Sequence, residues 1–190
     1  MKLVKALWVL CMSLILTVAC NKDDDETALE IGATHAGGIV FYIAEEPTDL
    51  DGDGVLDTGL VCATEDQSES VHWYNGSYII TEATASGVGS GASNTATIMA
   101  AQGEGNYAAS VASAYNGGGF NDWFLPSKDE LNLMYTNLKS EGLGNFKKNY
   151  YWSATENIYN SAWLQDFYEG AQYYNSYKTN TYRVRAVRAF

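Results

Sequence analysis

Hydrophobic positions along the chain follow three patterns in succession. An apolar run from Ala6 to Ala19 stands behind Lys2 and Lys5, and its 14 residues fall short of the ~20 that cross a bilayer as a helix. It predicts a secretory h-region. The second pattern is β-like. Gly38-Ile39-Val40-Phe41-Tyr42-Ile43-Ala44 is rich in β-branched and aromatic residues, and Leu60-Val61-Cys62-Ala63 follows an acidic, Gly-rich connection, which predicts a hairpin. Helical spacing comes third. After a Gly/Ser/Ala/Thr loop from Thr81 to Ser93, Asn94 can cap a short helix through Ala101, and 107–115 is a second small-residue helix ended by Gly117-Gly118-Gly119. Ser127 behind Pro126, with Glu130 three residues on, is a capping box, and Leu131, Met134, Tyr135 and Leu138 share one helical face beyond it. Past Gly144, short runs at 150–155, 162–167, 171–177 and 182–190 alternate with Asn/Gly/Ser turns and suit an antiparallel sheet.

The apolar leader ends in Leu16-Thr17-Val18-Ala19-Cys20, which resembles a bacterial lipoprotein processing site with Cys20 as the acylated first residue. Thr17 stands where Leu is the usual choice; a plain signal peptide or an uncleaved anchor is the alternative. Asn21-Lys22-Asp23-Asp24-Asp25-Glu26 is similar to acidic export signals that send lipoproteins to the outer face of the outer membrane. It is equally a solvated tether, because like charges extend a short linker. The expected organisation is a signal peptide at 1–19, a lipidated acidic tether at 20–31 and one domain at 32–190.

Processing at Cys20 changes the charge and the cysteine count. The whole chain carries a formal charge of −12, and the chain from Cys20 carries −14 with 9 basic and 23 acidic groups. Between Asp23 and Ser127 there are 17 acidic residues and no Lys or Arg, whereas residues 128–190 hold 6 acidic and 8 basic ones. Such a surface repels phosphate backbones, so nucleic acid is not expected as a partner. With Cys20 lipidated only Cys62 remains, no intrachain disulfide can form, and a packed core must hold the domain together. Cys62 sits in an apolar run, as a buried inert thiol does.

The sharpest chemical motif lies in the first hairpin. Asp49, Asp51, Asp53 and Asp57 occupy positions 1, 3, 5 and 9 of a loop, with Gly54 at position 6 and the Val55 carbonyl at 7. That spacing suits Ca²⁺, a hard cation that gathers several oxygens and relieves the repulsion of neighbouring carboxylates. Position 12 is Leu60 rather than a bidentate Glu, and flanking strands exclude a helix-loop-helix hand; Glu45, Glu46, a carbonyl or water would complete the shell. A solvated hairpin tip, with Asp-Gly pairs supplying turn geometry, is the alternative.

Other chemistry is poorly supported. Gly87-Val88-Gly89-Ser90-Gly91 follows no apolar strand, His35 and His72 lack metal-ligand spacing, and no nucleophile elbow is present. Aromatic residues point elsewhere. Eight of the 14 Tyr lie between Tyr150 and Tyr182, with Tyr150-Tyr151 and Tyr173-Tyr174 as adjacent pairs, and strand alternation sends one ring of each pair inward and one outward. Trp73 and Tyr74, beside Asn75-Gly76, are the candidates for exposure at a turn. Trp123, Trp152 and Trp163 are expected in the core. Arg183, Arg185 and Arg188 are expected to pair with Glu130, Glu156 or Asp129 rather than to form an anion site.

The strings GGIVFYI (37–43), GLVCA (59–63), DWFLPSKDEL (122–131), YWSATE (151–156) and VRAVRAF (184–190) resemble the Lcl C-terminal domain family of bacterial extracellular domains. The resemblance runs from about Gly32 to Phe190. It implies an α+β fold of the C-type-lectin-like kind, related to formylglycine-generating enzymes and adhesin domains: antiparallel strands, a few short helices, no disulfides. Those enzymes use a cysteine pair near the C-terminal end, and no cysteine follows Cys62, so that oxidase activity is not carried over. Some members resemble adhesins for sulfated polysaccharides, from which this acidic chain departs.

The expectation is a surface-exposed, non-catalytic recognition or adhesion module, anchored in the outer membrane by lipid alone. It would present Trp73, Tyr74, Tyr173 and Tyr174 to a glycan or protein, with Ca²⁺ ordering the Asp49–Asp57 loop. The alternative is a polysaccharide-processing enzyme, or a subunit of such machinery, with unidentified carboxylates.

Overall fold

A computed structural model describes residues 29–190. The signal segment, Cys20 and the tether to residue 28 lie outside the described residues.

Strand β1 (Thr34–His35) turns into β2 (Gly38–Thr48), which pairs antiparallel with β3 (Asp57–Cys62). The predicted hairpin is present and longer than its apolar runs, because the polar half of β2 carries the strand out to the acidic loop. β4 (Ser68–His72) follows, then helices α1 (Gly91–Gln102), α2 (Ala108–Ser113) and α3 (Lys128–Met134). The remaining strands are β5 (Tyr150–Ile158), β6 (Ser161–Asp166), β7 (Gln172–Tyr177), β8 (Thr181–Val184) and β9 (Val187–Ala189).

They form two sheets, ordered β1-β2-β3-β9 and β4-β8-β5-β6-β7. The run predicted as one strand at 182–190 is divided between them. The chain leaves the larger sheet at Val184 and re-enters the smaller at Val187, where Phe124 bridges to it. Pairing is antiparallel except between β5 and β8, which meet in parallel at Tyr151 and Arg183. β4 was not foreseen, since Ser68-Glu69-Ser70-Val71-His72 has little apolar content; Val71 alone is buried in it.

Two clusters of buried side chains form the core, and each draws on both sheets. Trp73, Ile98, Tyr107, Trp152, Leu164 and Val184 pack where the larger sheet meets α1 and α2. Phe41, Leu60, Leu131, Met134, Leu138 and Phe167 join the smaller sheet to α3. Leu131, Met134 and Leu138 are fully buried, as their spacing predicts, and Tyr135 is half-buried. Trp123 and Trp152 are in the core, while Trp163 is half-buried. Cys62 is a free thiol, buried, its pKa pushed up to about 12 by burial.

Helix α1 begins three residues before the predicted cap. Its amino end is closed by a distant carboxylate: Glu130 Oε1 accepts from Gly89 N at 2.8 Å and Gly91 N at 3.3 Å, a favourable place for negative charge. Asn94 is buried inside the helix and donates to Ala85 O at 2.6 Å. Position 91 must be glycine, because a Cβ there would strike the Glu130 carboxylate. At α3 the capping box forms as predicted, with Ser127 Oγ accepting from Glu130 N at 3.2 Å and Glu130 Oε2 accepting from Ser127 N at 2.7 Å. One side chain thus caps two helices.

Candidate functional site

Strands β5, β7 and β8 of the larger sheet carry its tyrosines. Leu164 faces Tyr173 across β6 and β7, and Trp152 faces Leu164 across β5 and β6. The face they share is core at one end and open at the other. There Tyr150, Tyr173 and Tyr182 line a shallow cavity of about 260 Å³ with Asn175, Ser176 and Asn180, just below the ~300–1,000 Å³ of drug-sized ligand sites. Tyr150 stands edge-on to both neighbours, its ring centroid 6.1 Å from Tyr173 and 5.4 Å from Tyr182. Asn180 Nδ2 donates to the Tyr182 hydroxyl at 3.0 Å and fixes that ring. The Tyr150 phenol is held above its ordinary pKa chiefly by the negative charge of Asp166.

Strand alternation separates the two tyrosine pairs as predicted for one and differently for the other. Tyr151 is buried and Tyr150 exposed. Tyr173 and Tyr174 are both exposed, at 39% and 57%, because β7 is an edge strand with neither face covered at that end. Tyr174 lies on the opposite face from the cavity, against Trp163 with ring centroids 5.7 Å apart, where Lys128 Nζ sits 4.6 Å over the indole.

Trp73 is not a surface residue. It continues the inward side of β4, is fully buried, and donates from Nε1 to Ser153 O at 2.8 Å; the turn at Asn75-Gly76 begins just beyond it. Tyr74 is half-buried in a row of rings, stacked on Tyr78 at 5.2 Å, with Tyr159 a further 6.0 Å along. The four residues expected to share a ligand surface therefore divide among the core, this row, the cavity and the opposite ledge. Tyr150, Tyr182, Asn175 and Asn180 were missed as a group, since residues three strands apart meet only through the β5-β8 neighbourhood.

In the acidic loop, carboxylate oxygens of Asp49, Asp51 and Asp57 lie within 4.8 Å of one another. Asp53 is not in that group; its Oδ1 accepts from Val55 N at 2.7 Å. Asp49 accepts from Gly52 N at 2.7 Å and Gly54 N at 3.1 Å, and both glycines have the positive φ, +84° and +88°, that the turn demands. Asp57 is buried and accepts from Leu50 N at 2.8 Å. Partial burial, reinforced by the neighbouring aspartates, raises the pKa of Asp51 and Asp57.

The arginines pair with other acids than those expected. Arg183 Nη1 and Arg185 Nε each donate to Asp66 at 2.8 Å, where the Tyr151 hydroxyl also donates at 3.0 Å. Arg188 grips Asp122 through two bonds of 2.7 and 2.6 Å, which holds the Asp122 pKa down. Glu156 instead meets Lys178, and Glu130 serves the helix ends.

Two small sheets, short helices between them and an aromatic cavity at a sheet end define an α+β domain with a surface site. The chain belongs to the Lcl C-terminal domain family, whose profile matches residues 62–188; the string at 37–43 lies before that span. A crystal structure of a fimbrial protein from Bacteroides ovatus ATCC 8483 is similar in fold, with a TM-score of 0.53 at 16% identity, covering 85% of this chain and 46% of that one. This chain thus spans less than half of that protein's length. No curated protein matches the sequence.

Proposed function

We propose that the protein is a non-catalytic recognition module at the cell surface that binds a neutral glycan in the cavity of Tyr150, Tyr173 and Tyr182. The observation that carries this reading is the cavity itself. Three phenol rings offer apolar faces to the C–H surface of a sugar, and the Asn175 and Asn180 amides supply donors and acceptors for its hydroxyls. Among the described residues no ionised group lines the cavity, so a neutral ligand enters without stranding a charge.

The lectin-like assignment of the fold belongs to the same reading. It is supported by a sheet that unites the first and last described strands and by the family membership. Lipidation at Cys20 would hold the domain at the outer membrane surface, and Ca²⁺ in the Asp49–Asp57 loop would tie the first hairpin. Asp49, Asp51 and Asp57 are the side chains that would hold that cation, because a hard divalent ion relieves the repulsion of neighbouring carboxylates.

A printed array of neutral and sulfated glycans tests the proposal. Binding confined to neutral structures is the expected result. An intact, folded protein that binds none of them, or that releases shortened products from an incubated polysaccharide, would overturn it.

A further inference from the structure

Three cavities meet along α2, away from the tyrosine site. One of about 560 Å³ is walled by Met99, Val111, Ser113 and Ala114. A second, of about 470 Å³, shares Met99 and Ser113 with it and reaches Asp51 and Asp53 in the hairpin loop. The third, of about 410 Å³, shares Val111 and Ala114 and reaches Glu65. Shared walls set them side by side along α2, a line of adjoining open cavities that forms a groove from the hairpin loop to the connection between β3 and β4. The helix it follows has 6 residues, or ~9 Å, so the groove seats at least about three residues of extended chain.

Its charge is one-sided. Among the described residues six carboxylates line it and no Lys or Arg does. Asp66 and Asp122 are neutralised by arginines. Asp53, Glu65 and Glu104, which lie outside the carboxylate group of the hairpin loop, form no ion pair among the described residues. Between them the surface is apolar, with Met99 and Val111 at its centre. Free carboxylates spaced along an apolar groove attract a guest that carries positive charges on an apolar frame and repel anionic ones.

We propose that this groove docks an extended cationic peptide segment in which Lys or Arg alternates with apolar side chains. Its basic groups reach Asp53, Glu104 and Glu65, and its apolar side chains cover Met99 and Val111. Basic stems add contact of their own, since their methylenes lie along apolar surface while the heads stay near water.

Fluorescence anisotropy of a labelled peptide of alternating lysine and leucine, titrated with the full chain in chelator and low salt, tests this. Saturable binding that weakens with added salt is expected. The exposed triple variant Asp53→Asn/Glu65→Gln/Glu104→Gln should weaken it by about tenfold. A control with the same charge change outside the groove, Glu45→Gln/Glu46→Gln/Glu141→Gln, should leave it unchanged. Ala114→Arg, at an exposed position on the groove wall, should abolish it. Equal weakening in both triple variants would overturn the proposal. So would a lysine–serine peptide that binds as tightly, spermidine that displaces the peptide at equal concentration, or an unmodified chain that does not saturate.

Discussion

Lys178 and Glu156 form a fully buried ion pair beneath Trp73, with Lys178 Nζ 4.5 Å from the indole centroid. The same ammonium donates to Ile79 O at 2.9 Å, and Glu156 accepts from Thr81 N at 2.8 Å and Glu82 N at 3.0 Å. Burial pushes the Lys178 pKa down, and Glu156 opposes that push. The pair fastens the loop ahead of α1 to β5 and to the turn after β7. Removing one partner leaves a buried charge unanswered, so Lys178→Met should cost about 3–5 kcal/mol in urea denaturation. Adding Glu156→Gln should recover part of that loss, because an amide oxygen in the place of Oε2 still accepts from Thr81 N and Glu82 N and no charge is stranded.

Glu130 makes stability depend on pH in a window where most carboxylates are silent. Burial raises its pKa to about 7, against the pull of the amides it accepts from. A carboxyl whose folded pKa lies above its unfolded value binds its proton more tightly when folded. Its contribution is therefore complete below about pH 4.5 and is lost as pH rises through about 7. The loss amounts to about 3 kcal/mol. Melting curves from pH 5 to 8 should show stability falling across this range, and the fall should flatten in Glu130→Gln; parallel profiles would contradict the assignment.

For the hairpin loop, the melting temperature should rise with millimolar Ca²⁺, the affinity regime of extracellular sites at ~10⁻⁴–10⁻³ M. The rise should vanish in Asp51→Asn/Asp57→Asn and persist in Asp53→Asn, since Asp53 lies outside the carboxylate group. Acidification in the presence of Ca²⁺ should erase the rise at a higher pH than ordinary aspartates would predict, because Asp51 and Asp57 take up protons early.

Local signals in the sequence located most elements. The capping box at Ser127, the helical face that runs from Leu131 in α3 to Leu138 in the turn Tyr135–Lys139 and the first hairpin could all be read, because each is set by residues within a few positions of one another. What could not be read depends on distant partners. Asn94 looks like a cap in isolation, but Glu130, 36 positions further on, does the capping of α1. Trp73 looks like a turn residue, but β4 pairs with β8 and carries it inward. The arginines face Asp66 and Asp122 because β8 and β9 lie in different sheets, a division that the continuous string Val184 to Phe190 does not announce. The cavity tyrosines illustrate the same limit: abundance was visible, and the face each ring takes follows from strand order.

Binding of a neutral glycan by single-ring variants reports most directly on the proposed site. With a glycan selected on the array, isothermal titration should show Tyr150→Ala and Tyr173→Ala each weakening the affinity by roughly fivefold or more, as loss of about 1 kcal/mol of aromatic contact implies. Tyr174→Ala, one residue away and on the opposite face, should leave it unchanged. Loss of affinity in Tyr174→Ala, with Tyr150→Ala and Tyr173→Ala unaffected, would place recognition outside the cavity and contradict the proposal.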